Sequence, residues 1–408
     1  MPVATHLQKR RNGFYARLAV PQDLRNHYGR RELIKTLGTS DLKVAKVKVL
    51  KVISEWKLGF EALRGTPDAI QALAAEIRLS EDSQTDPEAP MSDKDSYIEY
   101  MVDRLPESRE KDFRDIAMGR ATPFTLYLEQ YLENWQAKPK TKDMAKTVIK
   151  LVGKSLPFLE TVTRPLVVKI LMADESSPAT KSKNYGFVRQ YWKYLQDIGA
   201  VSDQARNPFS ELPLTSKTQI KPIKRTSFTA DEINLLIAKA ADREDQQLAE
   251  LITLAAYTGA RLEELCKLKT SSVEIIDDIS CLLIENAKTE AGNRKVPIHP
   301  TLHRLVRNLI KESKDEYLLS GLSRTKYGNR SNAIGKRFGR LKEDLGFGPE
   351  KVFHSIRKTV TTLLENAGVP EGVAADILGH EKATITYGVY STGTSIKAKF
   401  EAIKKLIY

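Results

Sequence analysis

Two cysteines in 408 residues, Cys266 and Cys281, do not suggest a disulfide scaffold, and no C-x-x-C pair or Cys/His ligand spacing is present to hold a structural metal. Reduced thiols and no metal or cofactor are expected. Apolar runs long enough to span a bilayer are also missing, and the opening MPVATHLQKRRNGFYARLAV has no apolar signal core. The expected setting is the cytoplasm, with no membrane partner. Negative charge falls short of positive: 65 Lys and Arg stand against 52 Asp and Glu, a net charge of +13. Such an excess points to a polyanionic partner, although charge alone does not separate DNA from RNA or an anionic membrane surface. The length exceeds a single average domain, so two or three are expected.

Chemistry concentrates between His354 and Tyr390, HSIRKTVTTLLENAGVPEGVAADILGHEKATITYGVY. His354 and Arg357 open an apolar-periodic run (Val360, Leu363, Leu364, Ala367), so a helix projects both from one face of its first turn. A helix amino end and two cationic side chains pointing the same way make an anion site. Gly368 reads as the stop of that helix, Pro370 as the opening of the next and Gly379 as its stop, with His380 directly after. Tyr387 and Tyr390 follow among Thr, Gly and Ser.

The ordered set H-x-x-R, then L-G-H, then a tyrosine ten positions past that histidine resembles the C-terminal boxes of the tyrosine recombinases, the phage integrase family. Upstream, YTGARLEELCKL (257–268) matches the family's T-G-x-R-x-x-E. The resemblance gives Arg261 the role of first catalytic arginine, with Glu264 orienting it. Cys281 to Glu285 and Arg294 to Ile298 read as two strands joined by a turn. The family carries its catalytic lysine in this hairpin, commonly as K-T before the turn, which matches Lys288 and Thr289; Lys295 is the fallback. The implied catalytic set is Arg261, Lys288, His354, Arg357, His380 and Tyr390. His299 and His303 stand i, i+4 but lack the accompanying Glu of a metal motif, so no metal site is expected.

The fold class implied is mostly α with small β-sheets and several domains. Residues 1–65 are expected to form a small α+β accessory DNA-binding module: a strand with Phe14, Ala16, Leu18 and Val20 on one face, a second at Glu32 to Leu37, and a helix from Asp41 to Leu63 whose apolar stripe is Val44, Val47, Leu50, Ile53 and Trp56. Residues 66–121 read as linker and connecting helices, with the acidic SEDSQTDPEAPMSDKD freeing the first module from the rest. Residues 122–215 read as a compact helical domain that resembles the core-binding domain of the recombinases, 216–226 as a basic linker, and 227–408, opened by a Thr229/Glu232 capping box, resembles their mixed α/β catalytic domain.

Double-stranded DNA is the implied partner. Candidate phosphate contacts are Lys140, Lys142, Lys181 and Lys183 in the helical domain and Lys224 and Arg225 in the linker. Arg324, Lys326, Lys336 and Arg337 lie in a basic, aromatic-interleaved stretch suited to a groove. By resemblance the chain cleaves and rejoins DNA through a covalent 3′-phosphotyrosyl intermediate, for integration or excision of a mobile element, as a homo-tetramer on two DNA sites. The tail, residues 391–408, carries an apolar stripe (Ile396, Phe400, Ile403, Leu406) for a neighbouring protomer to bury. Alternatives are type IB topoisomerase-like strand relaxation and a non-catalytic DNA-binding regulator on the same fold.

Overall fold

The computed structural model describes residues 6–10, 13–79, 94–214, 223–285, 292–381 and 393–408. They fall into two compact units, Met1–Ile220 and Lys221–Tyr408. Among the described residues no helix is long and apolar enough to cross a membrane.

The first unit starts with an antiparallel sheet of β1 (Leu7–Arg10), β2 (Gly13–Ala19) and β3 (Glu32–Thr36), with β2 central and the short α1 (Arg25–Tyr28) between β2 and β3. Strand alternation sends Phe14, Ala16 and Leu18 inward, followed by Val20, all buried. Helix α2 (Leu42–Leu63), capped by the Asp41 carboxylate, packs on this sheet through Ala45, Val49, Val52, Ile53 and Phe60. Its expected stripe needs correcting, because Val44, Val47 and Leu50 are 42%, 71% and 58% exposed. The helix is apolar on two faces, and Ala45, fully buried, lets the axis approach the strands on the other one.

Residues 66–121 also differ from expectation. Helices α3 (Pro67–Leu79), α4 (Lys94–Val102) and α5 (Glu107–Ala117) share one core, in which Ile70, Leu73, Ala74 and Ile77 join Ile98, Met101, Phe113 and Ile116. Because α3 and α5 pack on each other, the acidic stretch between α3 and α4 connects elements of one bundle and does not free the module before it. The next bundle comprises α6 (Leu128–Asn134), α7 (Pro139–Ser155), α8 (Arg164–Ala173) and α9 (Pro178–Asp197). Phe124, Tyr131, Tyr191, Trp192 and Phe209 fill its core, and the Tyr191 hydroxyl donates to the Phe124 carbonyl at 2.8 Å.

The second unit is built on α10 (Ala230–Asp242), which has the Thr229/Glu232 capping box, α11 (Gln246–Thr258) and α12 (Leu262–Lys267). An antiparallel sheet follows, β4 (Val273–Ile276), β5 (Ile279–Ile284) and β6 (Arg294–Pro297), with β5 central. Then come α13 (Leu302–Glu312), α14 (Ser331–Asp344), α15 (His354–Asn366), α16 (Glu371–Leu378) and α17 (Ile396–Ile403). Helix α11 runs through the middle, with Leu251, Ile252, Leu254 and Ala256 fully buried.

The tail corrects a further expectation. Ile396, Ile403 and Leu406 are buried against their own unit, where α17 lies on β6 and α16, and the Tyr408 hydroxyl donates to the Ala256 carbonyl at 2.7 Å. Each fully buried aliphatic contributes about 1.5–3 kcal/mol, so the stripe is spent within the chain and is not left for a neighbour.

Candidate active site

Four of the six expected catalytic residues are described, all in the second unit; Lys288, Tyr387 and Tyr390 lie outside the described residues. Helix α11 ends at Gly259 in the left-handed conformation (φ +61°). A Cβ there would stand 2.4 Å from Leu378 Cδ2 and 3.2 Å from Val360 Cγ1, so only glycine allows both this turn and the close approach of α15 and α16.

Two residues on, Arg261 occupies the N-cap of α12, where Glu264 binds it twice. The carboxylate accepts the Arg261 backbone N–H at 2.9 Å and its Nη1–H at 2.7 Å. Desolvation pushes the Glu264 carboxyl up, but hydrogen bonds and charge from Arg294 and Arg261 outweigh it and leave it below the usual carboxylate range. Arg261 keeps part of its guanidinium exposed and approaches the Gly379 carbonyl at 3.4 Å.

Helix α15 begins at His354, which puts this residue at the positive end of the helix dipole. Arg357, one turn in, is 3% exposed and donates through Nη1 to the Gly259 carbonyl at 2.9 Å. Its Nη2 is buried and has no hydrogen-bond partner among the described residues. Burial, then Arg261 and Arg294, bring its pKa down to about 10, so it stays charged at neutral pH. A buried guanidinium with an open donor edge is a place for an anion.

Helix α16 ends at Gly379, again left-handed (φ +71°), which releases His380 from the helix with its N–H on the Ala375 carbonyl at 3.0 Å. Partial burial, then Arg357 and Arg261, hold both His354 and His380 below the ordinary histidine value. Both rings are therefore neutral at pH 7, able to accept a proton or to share one in a hydrogen bond.

Reasoning from sequence passed over Arg294. Its side chain is 3% exposed, and it holds Glu264 at 2.9 Å. Parity was the available signal, because in β6 the inward positions are Arg294 and Val296, whereas Lys295 faces solvent. His299 is also buried, stacked on Tyr257 with ring centroids 4.5 Å apart. Among the described residues no cluster of His, Cys, Asp and Glu is arranged to hold a metal ion.

Of the candidate DNA contacts, Lys140, Lys183, Lys224, Lys326 and Lys336 are exposed and Lys142 is half-buried. Lys181 is corrected: it is 2% exposed, with its ammonium on the Leu171 carbonyl at 3.2 Å, out of reach of DNA. Arg337 is committed to Asp245 through both Nε and Nη2, fastening α14 to the start of α11. Arg225 donates to the Pro349 carbonyl and Arg324 to the Tyr317 hydroxyl, at 2.7 Å for the latter, yet both side chains stay exposed.

Comparison with known proteins gives the same direction. Residues 226–394 match the Phage integrase family, and residues 6–65 match a domain family of unknown function (DUF6538). A XerC-like tyrosine recombinase of Caldanaerobacter subterraneus subsp. tengcongensis is 26% identical over 340 residues, 72% of this chain and 84% of that protein. The integrase of Escherichia phage lambda is 26% identical over 277 residues, 63% of this chain and 72% of that one. In fold, the chain resembles a lambda integrase tetramer bound to a Holliday junction, with TM-score 0.52 and 19% identity over 93% of this chain and 96% of that one. The Tn1549 transposon integrase in complex with transposon right end DNA gives TM-score 0.51 and 20% identity over 69% of this chain and 98% of that one. Motif order, the arginine cradle and these matches together identify residues 226–394 as a domain of the phage integrase family.

Proposed function

We propose that this enzyme recombines DNA at specific sites, cutting and rejoining strands through a 3′-phosphotyrosyl intermediate to integrate or excise a mobile element. The observation that carries the reading is the buried Arg357 guanidinium, whose Nη2 has no partner among the described residues, beside a second arginine that Glu264 orients. In-line attack on a phosphodiester puts negative charge on the equatorial oxygens, and two planar guanidinium groups suit that charge. The Tyr390 oxygen attacks phosphorus, its proton passes to neutral His354, and the bond to the 5′ oxygen breaks. Lys288 gives that oxygen a proton, and His380 holds the phosphate by a hydrogen bond. The bond energy stays in the phosphotyrosine, so rejoining needs no ATP and no metal.

Double-stranded DNA is the substrate, held by the catalytic domain (227–408) and the helical core-binding domain (122–215), with residues 1–65 as an accessory module. Because one solved relative is a tetramer bound to a Holliday junction, four copies on two sites is the working assembly. The test is covalent capture. The full chain is incubated with a library of randomised duplexes, denatured, and the adducts are recovered, sequenced and mapped by proteolysis. A tyrosine joined to a 3′ phosphate at one recurring sequence supports the proposal; absence of any adduct would overturn it.

A further inference from the structure

We propose that Arg294 is a positioning residue for strand cleavage, setting Arg261 through Glu264 and fixing the two chain segments that flank the site. This rests on the strand-breaking role proposed above. The Arg294 side chain donates in three directions: Nη2 to Glu264 Oε2 at 2.9 Å, Nε to the Ile377 carbonyl at 2.7 Å and Nη1 to the Gly292 carbonyl at 2.8 Å. Each acceptor belongs to a carrier of the site. Glu264 orients Arg261, Ile377 stands three residues before His380, and Gly292 stands four residues after Lys288 and two before the start of β6.

Position alone does not account for a buried cation here. An arginine at 3% exposure is costly unless its donors are met, and a hydrophobic residue would serve β6 better if packing were all that was needed. What the cation adds is charge distribution. Glu264 is one anion, 10% exposed, shared between two arginines. With Arg294 taking one carboxylate oxygen, Arg261 is oriented without being neutralised. Arg261, Arg294 and Arg357 then outnumber Glu264 by two charges, and Arg261, Arg294 and Glu264 all act on Arg357, whose Nη2 has no partner among the described residues. Without Arg294, the full Glu264 carboxylate turns on Arg261 and competes with the phosphate for it.

The test compares full-length wild type with R294K, R294M, E264Q and the double variant E264Q/R294M. Inorganic phosphate binding, measured by calorimetry, reads the cradle without any cleavage. Adduct formation at saturating captured duplex reads the chemical step. R294M should bind phosphate about tenfold more weakly and form adduct about 100-fold more slowly, while its duplex affinity changes by less than about threefold. R294K should fall between, because an ammonium keeps the charge but cannot meet three acceptors. The double variant should be no slower than E264Q, since both act on Arg261 along one route.

Near-wild-type phosphate binding and adduct rate in a folded R294M, or losses that multiply in the double variant, would overturn the proposal. If R294M does not melt cooperatively, R294K carries the same comparison, and wild-type values there count against it. Absence of adduct in the wild type strikes the cleavage reading, and the phosphate comparison still decides the case of Arg294.

Discussion

The backbone N–H and the hydroxyl of Thr394 both donate to one carboxylate oxygen of Asp376, at 2.7 and 2.6 Å. Asp376 lies on α16, the helix that His380 follows, so one element holds both the histidine and the residue four past Tyr390. Fastening the chain close to the proposed nucleophile restricts where it can go, and a misplacement of about 1 Å in a reacting group can cost about 100-fold in rate. Thr394→Val and Asp376→Asn should therefore slow adduct formation by about tenfold or more at saturating duplex, with duplex affinity unchanged. Equal rates in single-turnover trapping would remove Asp376 from the account.

Much of this site could be read directly because its residues mark helix ends. Gly259 and Gly379 adopt the left-handed turns that a glycine after an apolar run implies, and Arg261, His354 and His380 follow at fixed offsets. The misreadings arose where a local pattern admits two solutions. Helix α2 carries apolar residues on opposite faces, and only packing against β2 selects Ala45 and Val49 over Val47 and Leu50. Lys181 and Arg294 look like surface cations in any one-dimensional reading. Their burial depends on carbonyls that arrive from 10 and 83 residues away, which spacing does not encode.

Replacing either cradle arginine by lysine should separate binding from chemistry. Arg261→Lys loses the Nη1–H bond to Glu264 and the planar guanidinium, keeping only the backbone N–H bond, and Arg357→Lys loses the planar reach from the Gly259 carbonyl to the phosphate. Loss of one transition-state donor costs about 100- to 1,000-fold in rate. Gel-shift affinity should stay near wild type while trapped adduct falls by that factor. Wild-type cleavage in either variant would remove that arginine from the cradle.

Gly259→Ala should destabilise the protein by about 2–4 kcal/mol, combining the left-handed backbone cost with overpacking against Leu378 and Val360. Urea denaturation followed by far-ultraviolet circular dichroism measures it. Because Arg357 hangs on the Gly259 carbonyl, adduct formation should fall as well, even where the variant is fully folded.

Stability should also depend on pH through the histidines. Burial first, then neighbouring arginines, hold His354 and His380 below the ordinary value, and burial does the same to His299. The unfolded chain takes up these protons near pH ~6.5 while the folded chain resists them, so stability is complete above that pH and falls as the pH drops toward the folded-state values. Denaturation midpoints should decrease from pH 7.5 to 5.5, and the decrease should shrink in His354→Gln/His380→Gln. An unchanged slope in that double variant would show that these two rings do not carry the effect.

The proposed attack by Tyr390 is supported by spacing on both sides. Tyr387 stands seven residues past His380 and seven before Thr394, whereas Tyr390 stands ten past and four before. Four residues of extended chain reach at most about 14 Å, so the Asp376 anchor at Thr394 constrains Tyr390 more tightly than Tyr387. Tyr390 also has the spacing from the L-G-H histidine, nine or ten residues, that is common in the family it resembles. An unperturbed tyrosine titrates near pH ~10, so the one that attacks must come to the cationic cradle, where Arg261, Arg357 and neutral His354 favour loss of its proton. Tyr390→Phe should bind duplex as tightly as wild type and give no adduct, while Tyr387→Phe should give one at a rate within about threefold of wild type. Should proteolytic mapping of the wild-type adduct place the DNA on Tyr387, the assignment of Tyr390 would be wrong and the Asp376 anchor would lie seven residues from the nucleophile.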